Sequence, residues 1–301
     1  MSQIMSNSIR FPSTAAAVLT IALLAACDKK RDADTAPQAE APAEAAPAPA
    51  APIVLKDVIE NDARYIIGIS YPPQAAKYPG LAKALHDYAE QARADLLKEV
   101  GTIDAAKQNG PYDLTLNFSL LVETPDVVAV AADGSSFTGG AHGTPLVARF
   151  VWLPRQNRLL ASDALFADSR SWTAISDYTR EQLHAALSQR VDADELPPTE
   201  RAEVMRSVGK MIDAGTEPVP GSFAAFEPVL APQGGKLMGL RFVFPPYQVG
   251  PYVDGVRTVE VPTTVLFPHL APEYRGMFVA VKPALAEAAP TPAETPVSPT
   301  Q

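Results

Sequence analysis

From residue 28 to residue 52 the chain carries no large apolar side chain. Alanine and proline dominate, with Glu40, Glu44 and a short basic cluster, Lys29-Lys30-Arg31. Such a stretch has nothing to bury and forms no core. As a tether it reaches roughly 80 Å if polyproline-like and roughly 25 to 30 Å as a random coil. Residues 283–301 repeat the composition and are expected to be a disordered tail. A fold is therefore confined to Ile53–Lys282, about 230 residues, enough for one large or two small domains with a real core. The 30 prolines among 301 residues are roughly twice average usage, which reflects rigid loops and unfolded flanks alike.

Ahead of the tether, residues 1–12 carry one charge, Arg10, and Ala15–Ala26 is almost wholly apolar. This is the layout of a secretory signal peptide. The apolar run, about a dozen residues, is short of the roughly 20 that a spanning helix needs. Leu23-Leu24-Ala25-Ala26-Cys27 resembles a bacterial lipobox. That resemblance implies cleavage of residues 1–26 and lipid attachment at Cys27; a spare thiol after an apolar run is the alternative. Two or three acyl chains, at about 0.8 kcal/mol per buried methylene, would make the anchor permanent. The expected location is the bacterial cell envelope, anchored to the inner or outer membrane and facing the periplasm. Asp28 resembles the inner-membrane retention signal of enteric lipoproteins, a rule that varies among bacteria, so the choice of membrane stays open.

Lysine and arginine number 25 against 34 aspartates and glutamates, a net charge of −9. No basic stripe occurs, which argues against a nucleic-acid partner. A single cysteine excludes a disulfide framework and a cysteine-rich metal site.

Within the fold, Arg64–Tyr71 reads as a strand stopped by Pro72-Pro73. Leu81, Leu85, Tyr88, Ala92, Leu96 and Val100 predict an amphipathic helix over 80–100. Alternation of Leu114, Leu116, Phe118 and Leu120 with polar residues predicts a half-buried strand over 112–123. Further strands are expected at 126–132 and 145–153, and helices at 170–191 and 199–214. Phe223–Leu230 and Leu237–Phe244 read as a hairpin across Pro232-Gln233-Gly234-Gly235, with a short last strand at Val259–Val261. The expected class is α+β, a mainly antiparallel sheet with three main helices. An N-terminal region at 53–143 and a C-terminal domain at 144–282 are the expected parts.

No catalytic motif is found. The histidines stand at 86, 142, 184 and 269, with no pair at helical spacing to share a metal, and no cofactor-binding loop occurs. Asp192, Asp194 and Glu195 lack the spacing of a calcium loop and read as a solvated connection. Asp163 and Asp168 read as helix-start and turn residues, the alternative being a carboxylate pair. One cluster stands out, Phe137-Thr138-Gly139-Gly140-Ala141-His142-Gly143. Its glycines permit positive φ. It reads either as a backbone nest for an anion or sugar with His142 as donor or base, or as a tight strand connection in which His142 bonds a backbone carbonyl.

That cluster resembles the Tyr/Phe-x-Gly-Gly-Ala-His motif of the RsiV-like family, whose domains are shared by a lysozyme-sensing anti-sigma factor and a peptidoglycan deacetylase, PdaC. A second stretch is similar to the family's closing motif: Phe242-Val243-Phe244-Pro245-Pro246-Tyr247-Gln248-Val249-Gly250-Pro251-Tyr252-Val253-Asp254-Gly255, then Val259-Glu260-Val261-Pro262. Leu159–Phe166 resembles a segment between them, so the likeness covers roughly residues 60–272. The resemblance implies an α+β fold and an envelope-facing role, and it brings no catalytic residue with it. The chain departs from the anti-sigma factor in lacking its sigma-binding segment and spanning helix, and from the deacetylase in lacking its metal-binding catalytic domain. Gly139, Gly140, His142, Gly143, Tyr247 and Tyr252 are the candidate ligand contacts, with turns that define the fold as the alternative. The expected function is a lipid-anchored binding or sensing module that engages a lysozyme-like protein or peptidoglycan, with no cofactor or metal. A peptidoglycan-modifying enzyme and an envelope scaffold are the alternatives.

Overall fold

The structure, a computed structural model, describes residues 53–104, 108 and 110–280. The signal segment, Cys27, the tether and the tail lie outside the described residues. No helix among the described residues is long and apolar enough to cross a membrane.

The first half of the fold is a six-stranded sheet in sequence order: β1 (Val58–Asn61), β2 (Tyr65–Ser70), β3 (Tyr112–Glu123), β4 (Val128–Phe137), β5 (Thr144–Leu153) and β6 (Arg158–Leu159). All neighbours run antiparallel except β2 and β3, which are parallel. A parallel pair needs a crossover, and helix α1 (Pro79–Thr102) supplies it. Pro79 opens the helix, where its missing N–H costs nothing. Leu81, Leu85, Ala89, Leu96 and Val100 then line one stripe and are buried against Leu114, Leu116, Phe118, Val128, Val130 and Ala132 of the sheet. Tyr71 lies flat on Phe118, with ring centroids 4.9 Å apart.

Alternation along β4 and β5 turns Ala129 and Val151 to the opposite face of the sheet, where they enter a second core with Val122 and Leu153. Helices α2 (Ser171–Ala193) and α3 (Pro198–Gly215) share this core with a three-stranded antiparallel sheet. Its strands are β7 (Phe226–Leu230), β8 (Leu237–Phe244) and β9 (Arg257–Pro262). Two short helices follow, α4 (Thr263–Leu266) and α5 (Pro272–Arg275). Trp172 sits at the centre, 5.2 Å from Phe223, 4.6 Å from Phe166 and 6.4 Å from Phe242 between ring centroids. The fold is α+β, with a large mostly antiparallel sheet and three main helices.

Beyond shifts of one or two residues at element ends and the short β6, α4 and α5, three elements differ from the sequence expectation. β1 is not among the expected strands, since four residues with Ile59 exposed give no usable alternation. β4 continues to Phe137 through Asp133-Gly134-Ser135-Ser136, because this end is held by ladders to β3 and β5 instead of by burial. Phe223 belongs to a 3-10 turn, Pro220–Phe223, and the strand starts at Phe226. Residue 143 closes the β4–β5 connection, and the strands on either side of it pair, Ser136 facing Thr144.

One buried ion pair, Arg149 with Glu227, joins the halves. Arg149 of β5, its side chain 7% exposed, bonds Glu227 of β7 at 2.6 Å and Asp133 at 2.9 Å. Arg241 of β8 adds a second contact to Glu227 at 3.4 Å.

Candidate functional site

Residues 138–143 connect β4 to β5. Gly139 and Gly140 both have φ near 97°, a region that side chains avoid, so this turn needs glycine at both positions. The turn projects His142, which is exposed. Gly139 and Gly140, with Tyr112, Phe137 and Thr138, also line a cavity of about 390 Å3.

The β8–β9 connection, residues 245–256, is the other wall. Tyr247 N–H donates to Gly250 O at 3.0 Å and Gln248 N–H to Pro245 O at 3.1 Å. The Gln248 side-chain amide donates to Gly215 O at 2.9 Å and to Ser222 O at 2.8 Å. One residue thus pins the loop to the end of α3 and to the turn before β7. Tyr252–Asp254 is a 3-10 turn. Tyr247 itself is left-handed, with φ of 74°.

These two connections bring three of the candidate side chains into one cluster. The His142 and Tyr252 rings stack, with centroids 4.0 Å apart and planes 11° from parallel. His142 Nε2 and the Tyr247 hydroxyl are hydrogen-bonded at 2.9 Å. The two tyrosine rings lie 5.6 Å apart at 40°. Tyr247 is 52% exposed, and Val253 of the same loop 88%. His142 therefore pairs with a tyrosine hydroxyl, where the tight-turn reading placed a backbone carbonyl. Imidazole over phenol gives a flat surface with apolar faces and polar edges.

The other titratable candidates are dispersed. His184 pairs with Asp213 at 3.0 Å between α2 and α3. Asp163 lies in the 3-10 turn Ser162–Ala164. Asp168 accepts the Arg170 N–H at 2.6 Å, and that bond, with the Arg170 guanidinium, holds its carboxyl below the usual aspartate range. Asp192 makes an ion pair with Arg201 across the α2–α3 connection, where Glu195 turns the chain with φ of 49°. No three His, Cys, Asp or Glu side chains among the described residues are grouped to hold a metal ion. Sequence reasoning missed Gln248, Asp254 and Arg190. The first two lie inside the second motif, and their signal is a polar residue in a loop otherwise made of Pro, Gly, Val and Tyr.

Residues 59–144 match the family described as Deacetylase PdaC, a stretch that contains the glycine-histidine motif and stops short of the Pro-Tyr loop. The resemblance drawn from the sequence is thus supported by a family match. No curated protein matches the chain. Similar solved structures include two DUF3298 proteins. A DUF3298 family member from Bacteroides fragilis shares 17% identity over 74% of this chain and 95% of its own, with a TM-score of 0.46. A DUF3298 family protein from Pseudomonas aeruginosa shares 13% identity over 75% of this chain and 96% of its own, with a TM-score of 0.48.

Proposed function

We propose that this chain, which carries a PdaC-like domain at residues 59–144, is a lipid-anchored, periplasm-facing binding module of the bacterial envelope. Its ligand contact is the cluster of His142, Tyr247 and Tyr252, and its ligand is cell-wall glycan. The observation that carries this reading is the stack of exposed His142 on half-buried Tyr252, edged by the Tyr247 hydroxyl. Sugar rings present apolar C–H faces and polar edges, and amphipathic aromatic rings with hydroxyl and imidazole edges complement both. Cys27 holds the module at the membrane, and the tether gives it reach of tens of ångströms, on the order of a flexible 25-residue chain.

A lysozyme-like protein is the second reading. The chain's charge of −9 favours a basic partner, and Val253 offers an exposed apolar contact beside the rings.

Titration of the full chain with a soluble N-acetylglucosamine oligomer tests the first reading. Saturable binding is expected, weakened about tenfold by Tyr252→Ala, a loss of about 1.4 kcal/mol. Equal affinity in wild type, Tyr252→Ala and His142→Ala would overturn it. Binding of a basic lysozyme-like protein that persists at 1 M salt, where screening sets in at about 3 Å, with no glycan binding, would transfer the assignment to the second reading. Peptidoglycan turnover abolished by His142→Ala would make the chain an enzyme. For the anchor, Cys27→Ser should release the protein from membranes or leave uncleaved precursor; a normally processed, membrane-bound variant would refute it.

A further inference from the structure

The loop that carries Tyr247 and Tyr252 is fastened at its far end by charge. Asp254 closes the turn Tyr252–Asp254, and its side chain is only 11% exposed. Arg190, in the last turn of α2, reaches Asp254 Oδ2 at 2.5 Å. Arg257, the first residue of β9, approaches the same oxygen at 3.4 Å. Leu187, Ile212 and Val249 surround the group, with a cavity of about 50 Å3 between them. In such surroundings charge attraction is strong, and a carboxylate left without partners is costly, so Asp254 has one favourable place.

That place is transmitted to the ring. Asp254 N–H donates to Pro251 O and Gly255 N–H to Tyr252 O, both at 3.0 Å, so the turn moves as a unit. On its other side Asp254 packs against Gly250, where a Cβ would stand 3.0 Å from Oδ2. Gly250 in turn accepts the Tyr247 N–H. Both tyrosines of the cluster are therefore one short link from the same carboxylate.

We propose that Asp254, clamped between Arg190 and Arg257, is a positioning residue of the aromatic site, which it holds with Tyr252 parallel to His142 before any ligand arrives. This rests on the reading of the cluster as the ligand contact. It adds that affinity depends on a charge clamp that touches no ligand, and that α2 is mechanically part of the site.

The test separates geometry from binding. In the full chain labelled with 13C at histidine, the His142 signal is assigned by His142→Gln, and its ring-current shift from Tyr252 is defined by Tyr252→Ala. Asp254→Asn keeps the side-chain size and removes the charge. It is expected to lose most of that shift with no ligand present and to bind a soluble N-acetylglucosamine oligomer about tenfold more weakly, since preorganisation is lost. Arg257→Lys, which keeps the charge, should retain the shift. An unchanged shift in Asp254→Asn overturns the proposal. Should that variant not fold, Arg190→Gln replaces it, with a smaller loss of shift expected and full retention overturning the proposal. If Asp254→Asn removes the shift while Tyr252→Ala leaves glycan binding untouched, the positioning role stands and the glycan reading falls.

Discussion

The core under α1 is filled by side chains spaced three and four apart along one helix and two apart along four strands, whereas the core around Trp172 gathers rings from separate places along the chain. Phe166, Trp172, Phe223, Phe226 and Phe242 come from a bridge, a helix, a 3-10 turn and two strands. Regular spacing makes the first core readable from local sequence. The second is specified by where bulky rings happen to meet, which no local window contains. Yet the two are not independent, because alternate residues of β4 and β5 feed one core each and Arg149 binds Glu227 between them.

The largest test of that coupling is Trp172→Ala, expected to cost about 4 kcal/mol as a truncated buried aromatic. Calorimetry should show one transition shifted down as a whole. Two separated transitions would mean that the cores fold independently. Glu227→Ala comes next, at about 3 kcal/mol, because Arg149 would be left as a buried charge with the exposed Asp133 as its remaining carboxylate partner. Denaturant unfolding followed by tryptophan fluorescence would report it through both cores, since Trp152 lies in the first and Trp172 in the second. Gly80→Ala probes the first core alone. Its Cβ would stand 2.2 Å from the buried Trp152 ring, and overpacking of this kind costs about 2 kcal/mol. An unchanged melting temperature would show that the Trp152 ring has room to retreat.

Alkali should also act on the first core selectively. Burial pushes the Tyr71 phenol up to about 12, and it raises Tyr88 as well. Both rings pack in the α1 core. Ionisation is easier in the unfolded chain, whose tyrosines titrate near 10. The stabilisation is therefore complete below about pH 10 and is lost as pH rises towards 12. Hydrogen exchange should show α1 and β3 loosening before α2 across that window. The smallest effect is Tyr247→Phe, which removes one exposed hydrogen bond to His142 and should shift stability by less than about 0.5 kcal/mol.

The fold is legible in the sequence where burial and period coincide. β3 runs over Tyr112–Glu123 as its alternation predicts, and α1 over Pro79–Thr102 extends its predicted span by one or two residues at each end. It is illegible where hydrogen bonding alone holds the chain, as in the polar end of β4. The candidate site was half legible. Both motifs could be picked out by residue type, but their meeting is a contact between residues 105 apart. Asp254 stands out only as a polar residue in its loop, since nothing near it in the sequence announces Arg190, 64 residues earlier in the chain.

Tyr247 holds a backbone shape that glycine adopts freely and a bulky residue does not. Keeping it there costs on the order of 1 kcal/mol. Any search for a hardier version of this protein, by heat selection or by stability-guided redesign, would thus drift towards Tyr247→Gly and be rewarded for it. The hardened molecule would have lost the only hydroxyl that faces His142 within hydrogen-bond distance among the described residues. Thermal robustness and the recognition proposed for the aromatic cluster compete at this one position.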